Sequence, residues 1–268
     1  MRLHAMLAAL ALTGCGAMQR PMPFDQVDAD PVRHGERLTA VLGCKGCHGE
    51  QLSGEDWGDP GFSVMRTANL TISAQRYSAA GLKSMIVSGK RPGGRELWDM
   101  PSYLFANLPD RDLDAIVAYL KTLKPVGKAA PEPVFLAPAR KEMAEGTYRS
   151  AAAEVRASAA KLGPDAGPQF ARGRMIVRAT CAECHRIELD GSPSYPGEPP
   201  KPDLRIVAAY DKADFLKFLV TGKAQGNREL EMMSNVARGR FAHMTDPERE
   251  AVHAYLEAVG IQAAAPTP

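Results

Sequence analysis

Apolar residues in the first half of the chain recur at the three- and four-residue spacing of an amphipathic helix. The clearest stripe consists of Leu113, Ile116, Val117 and Leu120. It predicts a helix over residues 110–123 with one buried face. Further helices are predicted over residues 31–42 and 78–88. Three helices joined by a long loop make this half an all-α unit.

The second half of the chain repeats the first. Residues 77–90 align without a gap with residues 210–223, which lie 133 positions later. The counterpart of the helix over residues 110–123 begins at Thr245, and Glu248 lies three residues on, with a proline between them. This is the spacing of a capping box at a helix start. A tandem duplication explains the repeat, so the chain is predicted to contain two similar all-α domains.

Prolines and changes in composition indicate further boundaries between the domains, the linker and the tail. We predict a first domain over residues 31–127, a linker over 128–167, a second domain over 168–262 and a disordered tail over 263–268. The linker combines prolines with an Ala-rich helical stretch at residues 143–162. That helix either crosses the domain junction or is a solvated spacer.

The N-terminus reads as an export signal. A short basic segment precedes a short apolar run, far below the ~20 residues that a transmembrane helix needs. The run ends Leu-Thr-Gly-Cys and resembles the bacterial lipoprotein signal; the alternative is an ordinary signal peptide beside an unmodified cysteine. The resemblance implies a signal peptide at residues 1–14, lipidation of Cys15 and a tether over 15–30. Gly16 after the cysteine implies the outer membrane.

Composition restricts the class of protein. The 268 residues carry 33 Lys and Arg against 31 Asp and Glu, a net charge of +2. No strong positive field would attract phosphates, which argues against a nucleic-acid partner. The 45% of hydrophobic residues is too high for a disordered chain.

Four of the five cysteines lie in two Cys-x-x-Cys-His motifs, formed by Cys44, Cys47 and His48 and by Cys181, Cys184 and His185. This motif attaches c-type haem. Two thiols three positions apart can reach both vinyl groups of one porphyrin, and the adjacent histidine supplies a nitrogen to iron. The motifs predict two covalently attached haem c groups.

Three other interpretations of the motifs are weaker. A zinc site would place two Cys-x-x-Cys pairs about 15–20 residues apart, whereas these pairs are 137 positions apart. A redox dithiol does not need a histidine after each pair. Disulfides that close such small loops would stabilise little.

Methionine is a common sixth ligand of haem iron in electron carriers. The first half offers Met65, Met85 and Met100. Met85 lies in an apolar helical run, where methionine more often fills a core. Met100 lies in a loop and is followed by Pro101, which ends local helix. We therefore predict Met100 as the sixth ligand of the first haem.

The repeat selects the corresponding residue in the second half. Met233 aligns with Met100, whereas Met244 aligns with Leu108, a core position. Met232 is one residue out of register. The prediction is Met233, with Met244 and Met232 as alternatives.

A histidine ligand and a glycine contact are two further hypotheses. His243 as the sixth ligand would make a bis-His haem of lower potential. Gly35 and Gly173 lie within predicted helices, where glycine costs roughly 0.5–1 kcal/mol. Close contact with another helix, the one that bears Tyr119 or Tyr255, would explain them.

Several motifs resemble one protein family. Gly-x-Arg-Pro-x-Gly-Arg at residues 89–95 precedes Met100 and Pro101, an Asn-Leu-Thr triplet occupies residues 69–71, and the helix over 110–123 has the pattern Asp-x-x-Leu-x-x-Ile-x-x-Tyr-Leu. They are similar to the class I-type cytochrome c fold, twice over. The subfamily is that of the cytochrome c domains in membrane-associated subunits of periplasmic dehydrogenases.

The resemblance implies a periplasmic dihaem electron carrier rather than an enzyme. Its partners would be a dehydrogenase donor and a cytochrome or oxidase acceptor, with the membrane reached through the lipid anchor. The first alternative is a dihaem enzyme, a peroxidase or thiosulfate-oxidising cytochrome with one open or unusually ligated iron. The second is a sensor that binds a gas. High-spin iron would distinguish both from the carrier.

Overall fold

The computed structural model describes residues 23–191, 193 and 201–265. In the first domain, the helices are α1 (Pro31–Val41), α2 (Cys44–His48), α3 (Leu70–Arg76), α4 (Ala79–Ser88), α5 (Ser102–Phe105) and α6 (Asp110–Thr122). The three helices predicted here over residues 31–42, 78–88 and 110–123 are therefore present.

The linker and the second domain are also helical. The linker contains α7 (Ala137–Glu145) and α8 (Ala151–Ala157), and the second domain contains α9 (Ala171–Thr180), α10 (Ala182–His185), α11 (Lys212–Thr221), α12 (Met232–Gly239) and α13 (Asp246–Ala264). In the described part of the chain, strand is confined to two short antiparallel pairs, β1 (Ser63–Val64) with β2 (Val134–Phe135) and β3 (Lys223–Ala224) with β4 (Arg228–Glu229). The all-α prediction is confirmed.

Helix α13 begins as its sequence predicts. Thr245 accepts a hydrogen bond from the backbone N–H of Glu248, and the Glu248 carboxylate accepts one from the backbone N–H of Thr245. These reciprocal bonds satisfy two amides that have no partner within the helix. The helix continues to Ala264, which extends it into the predicted tail.

Glycine lets the first and last helices of each domain touch. A Cβ on Gly35 would lie 1.9 Å from the carbonyl oxygen of Ala115, and one on Gly173 would lie 2.1 Å from that of Ala251. The hypothesis of a close helix contact is confirmed. The helices in contact are those that carry Tyr119 and Tyr255, but the tyrosine rings do not make the contact. Tyr255 contributes only its Cβ, at 2.6 Å from the position of a Gly173 Cβ.

The linker departs from the single helix predicted over residues 143–162. Gly146 ends α7 in a left-handed conformation with φ +74°, and Ser150 caps the start of α8. Helix α8 packs on α4 and α5 of the first domain. Its backbone lies so close to Gly89 that a Cβ there would be 2.6 Å from the nitrogen of Ala152. The helical part of the linker is therefore neither a solvated spacer nor one continuous helix.

The end of the predicted tether is folded between the domains. Phe24 is 1% exposed. The carboxylate of Asp25 accepts from Arg172 at 2.7 Å and from Thr245 at 2.6 Å in the second domain, and the Asp25 carbonyl accepts from Arg37 of the first domain at 2.5 Å. Residues 23–30 thus belong to the folded unit, although the sequence assigns them to the tether. Lipidation at Cys15 and the signal at 1–14 fall outside the described residues.

The buried apolar side chains of both domains form one contiguous cluster. Arg37 and Glu248 connect the domains at the edge of this cluster, with Nη1 and Oε2 2.9 Å apart. Within the described part of the chain, no helix combines the length and the apolar character needed to span a membrane.

Candidate haem-binding sites

The first motif occupies the short helix α2, directly after α1. Gly43 joins the two helices in a left-handed conformation with φ +78°. His48 is buried, and its Nδ1 lies 2.7 Å from the carbonyl oxygen of Ala68. A carbonyl oxygen can only accept, so Nδ1 carries the proton and Nε2 is left with a free lone pair. This is the tautomer that an iron ligand requires.

The second motif holds its histidine in the same way, although Cys181 follows α9 directly, without a left-handed glycine before it. His185 is 4% exposed, and its Nδ1 lies 2.9 Å from the carbonyl oxygen of Pro202. The acceptor lies 17 positions after the histidine, against 20 in the first domain. Both domains thus fix the imidazole by a backbone carbonyl that follows the motif.

Burial disfavours charge at both motifs. It raises the pKa of all four motif thiols, to about 11 for Cys44 and Cys47. It also lowers the pKa of both histidines, His48 and His185. A redox dithiol needs a thiol of lowered pKa, so these pairs are unsuited to disulfide exchange. Neutral thioethers and neutral imidazoles suit the environment.

The structure also weakens the other two interpretations of the cysteines. All four motif cysteines are free of disulfides. Among the described residues, no three His, Cys, Asp or Glu side chains converge in a way that could hold a metal ion. A structural zinc site therefore has no support in that part of the chain.

A cavity of about 450 Å³ lies beside the first motif. His48 and both cysteines line it, as do all three candidate methionines, Met65, Met85 and Met100. Much of the remaining wall is apolar, and its volume is within the range of cofactor sites, about 300–1,000 Å³. The cavity therefore brings together the predicted ligands of the first haem.

The cavity wall also contains charged groups that suit haem. Arg76, Arg91 and Arg95 lie in it. Haem carries two carboxylates, and arginine is the side chain best matched to carboxylates. Arg91 and Arg95 both pair with Glu132, at 2.6 and 2.8 Å. Two thiols, one neutral imidazole, a thioether sulfur and the Arg76 guanidinium form a set of groups that fits a covalently attached haem.

The linker fixes the loop that carries Met100. The backbone N–H of Ala151, at the start of α8, donates to the carbonyl oxygen of Leu97 at 2.9 Å. The hydroxyl of Tyr148 donates to the Asp99 carboxylate at 2.9 Å. Asp99 has φ +56°, a left-handed conformation that is uncommon outside glycine. These contacts hold the backbone on the N-terminal side of Met100.

Aromatic side chains cover the same loop. The ring centroid of Trp98 lies 4.8 Å from that of Phe135 in β2 and 5.0 Å from that of Tyr148. Phe62 completes the cluster, at 5.1 Å from Tyr148. Sequence reasoning missed this contribution of the linker. The aromatic residues at 135 and 148, amid prolines and alanines, were the available signal.

In the second domain the three candidate methionines differ in environment. Met233 is half-buried and packs against the core cluster at the start of α12. Met244 is 4% exposed and belongs to the core itself, as the repeat predicts. Met232 is 68% exposed. Burial thus favours Met233, which remains the prediction for the sixth ligand.

Backbone conformation also bears on Met232, the residue before Met233. Glu231 has φ +44° and directly precedes Met232, as Asp99 with φ +56° precedes Met100. This shared backbone conformation favours the alternative ligand Met232, whereas burial favours Met233. His243, the bis-His alternative, lies in the turn between α12 and α13.

Comparison with models of known protein families identifies a match to this chain. A model of the family described as Cytochrome c matches two separate regions, residues 32–124 and 170–260. Together these regions make up well over half of the 268 residues. A search of curated proteins found no match.

Proposed function

The chain belongs to the cytochrome c family, and from this premise we propose that it is a lipid-anchored dihaem electron carrier that works in the periplasm. Its two cytochrome c domains bind two covalently attached haem c groups and serve haem-based electron transfer. The finer proposal names the compartment, the anchor at Cys15 and the partners. It is supported by the export signal in the sequence and by the similarity to dehydrogenase cytochrome domains.

The observation that carries the proposal is the duplicated histidine geometry. His48 and His185 each donate Nδ1–H to a backbone carbonyl, at 2.7 and 2.9 Å. An enzyme usually differentiates its two haems, with one iron open to substrate. Histidines held in the same way, together with methionine candidates at corresponding positions of both halves, instead favour two electron-transfer haems.

Bound haem supplies an iron that takes up and releases one electron. The protein's own groups keep the surroundings constant while this happens. The Ala68 and Pro202 carbonyls hold the imidazoles in one orientation, and burial keeps the imidazoles neutral. Around the first haem, the Met100 loop is held by the linker through Tyr148 and Ala151. Little reorganisation is then needed when the charge changes.

We expect the electron donor to be a periplasmic dehydrogenase or another carrier and the acceptor a cytochrome or oxidase. Such contacts are small and transient. A large apolar docking surface is therefore not required of this molecule.

The test is a visible and near-infrared spectrum of the purified ferric protein, with haem quantified per chain. The proposal expects two haems per chain, both low-spin, with the sulfur-to-iron charge-transfer band of His/Met ligation. One high-spin haem would contradict it and favour the dihaem enzyme or the gas sensor. A bis-His spectrum would contradict the methionine assignments, with His243 as the first candidate.

A further inference from the structure

The two haem-binding motifs lie close to each other across the domain junction, and Arg240 lies between them. Arg240 follows α12 of the second domain, and its side chain reaches the first domain. Its Nε and Nη2 donate to the carbonyl oxygens of Val41 and Leu42, at 3.3 and 3.1 Å. Its Nη1 lies 3.3 Å from Oε2 of Glu183, a residue inside the second motif. One guanidinium thus contacts both haem-binding segments.

A glycine makes room for this contact. Gly43 directly precedes Cys44, and a Cβ there would lie 2.5 Å from Cζ of Arg240. The carbonyls that Arg240 binds are at the C-terminal end of α1, where unpaired oxygens attract a cation. The Arg240 side chain is 16% exposed, so salt screens its charge less than that of a surface group.

Groups of the second motif extend to the site of the first. Glu183 forms part of the wall of the first domain's cavity. Cys47 lines the same cavity. Glu183 directly precedes Cys184, so segments of both haem-binding motifs border one cavity.

A second arginine makes the reverse contact. Arg178 of α9 is 5% exposed, and its Nη1 donates to the carbonyl oxygens of Tyr103 and Leu104, at 2.6 and 3.1 Å. In the repeat, Leu104 corresponds to Arg240, and Arg178 corresponds to Val41. Each contact therefore joins the position of Val41 in one domain to the position of Arg240 in the other. The second contact repeats the first with the roles of the two domains exchanged, as in the interface of a two-fold symmetric dimer.

We propose that the two haem sites form a single electron-transfer unit, in which an electron passes directly from one haem to the other across the junction that Arg240 holds. The inference rests on the proposed function. With haem in both sites, one iron would be oxidised from ferrous to ferric while the other is reduced from ferric to ferrous, so that a single electron moves and none is gained or lost. No bond forms or breaks, and no proton moves. Arg240 is a positioning residue in this step.

The charge of Arg240 also acts on both sites. A nearby positive charge favours the reduced, less positive form of a haem, and a negative charge opposes it. Removal of the Arg240 charge should therefore lower both midpoint potentials. Removal of the Glu183 charge should raise both. A residue that merely supported one domain would shift one potential or neither.

The experiment uses proton NMR of the full holoprotein during stepwise reduction, with the two haems distinguished by their separate haem-methyl resonances. Four variants are compared: Arg240→Gln, Arg240→Lys, Glu183→Gln and Arg238→Gln. Arg238 is the matched control, because it pairs with Glu229 at 3.1 Å on the surface of the second domain. Arg238→Gln removes the same charge two positions away without touching the junction.

In the unchanged protein we expect each haem-methyl resonance of the one-electron-reduced state to lie between its oxidised and reduced positions, independently of protein concentration. Such averaging means that the electron exchanges within one molecule. Arg240→Gln should lose the averaging and lower both potentials. Arg240→Lys should keep both potentials near those of the parent, because it keeps the charge. It should still weaken the averaging, because lysine lacks the planar fork of donors. Glu183→Gln should raise both potentials.

Absence of averaging in the unchanged protein would overturn the inference. So would an Arg238→Gln effect equal to that of Arg240→Gln, or an Arg240→Gln shift confined to one haem. The haem content and low-spin spectrum of the same samples test the proposed function separately. A protein with two low-spin haems and no averaging would refute only the direct transfer.

Discussion

Replacement of Gly35 by alanine should destabilise the first domain, although alanine is the better helix former. The new Cβ would lie 1.9 Å from the carbonyl oxygen of Ala115 in α6. Ordinary contact needs about 3.5 Å, so α1 and α6 would have to separate by about 1.5 Å along that line. Overpacking costs about 1–3 kcal/mol, and helix propensity returns up to about 1 kcal/mol. Because a backbone carbonyl cannot rotate away, we expect a net loss of about 2 kcal/mol.

The assay is urea unfolding of the holoprotein followed by circular dichroism, with thermal unfolding as a second measure. Because the buried apolar side chains of both domains form one cluster, we expect the two domains to unfold together. A loss of this size lowers the Tm of a unit of about 150–250 residues by roughly 4–8 °C. Gly239→Ala is the matched control, because nothing lies within 4 Å of a Cβ there; it should be neutral or up to about 1 kcal/mol more stable. Gly173→Ala should repeat the loss in the second domain. A Gly35→Ala protein as stable as the parent would refute the reasoning.

The remaining predictions concern ligands and anchor. Met100→Ala should leave the first haem attached and raise the high-spin fraction in the visible spectrum; an unchanged spectrum would exclude Met100 as ligand. Met233→Ala should change the spectrum of the second haem, whereas Met244→Ala should instead lower the free energy of unfolding by about 2–5 kcal/mol. A spectral change in Met232→Ala without one in Met233→Ala would identify Met232 as the ligand. Cys15→Ala should release the protein from membranes on cell fractionation with its spectrum intact.

The sequence predicts those features that depend on local spacing. The Cys-x-x-Cys-His motifs define thiol and imidazole positions within one helical turn, so their assignment needs no tertiary information. The capping box at Thr245 and Glu248 is likewise local, and both of its hydrogen bonds are present. The glycine contacts of α1 and α9 were predictable because a helical glycine without a packing reason is costly and because the repeat shows it twice.

Features made by distant parts of the chain were not predictable in the same way. The linker helix breaks at Gly146 because a left-handed residue ends α7 there, but the Ala-rich composition on both sides conceals the break. The contact of Tyr148 with Asp99 joins residues 49 positions apart. The contact of Arg240 with Leu42 joins residues 198 positions apart. The sequence alone does not distinguish an arginine on a solvated surface from one covered by a neighbouring domain.

The burial of residues 23–25 between the domains has a consequence for the membrane-anchored form that we propose. Pro23 lies only eight positions after Cys15. A fully extended chain spans about 3.3–3.6 Å per residue, so the segment from Cys15 to Pro23 can span at most roughly 28 Å. Since this segment joins the folded part of the chain at Asp25, which contacts both domains, one short tether would limit the distance of both haem sites from the lipid. Encounter with a membrane-bound partner would then depend on the local concentration of the tethered protein at the membrane rather than on diffusion through the compartment.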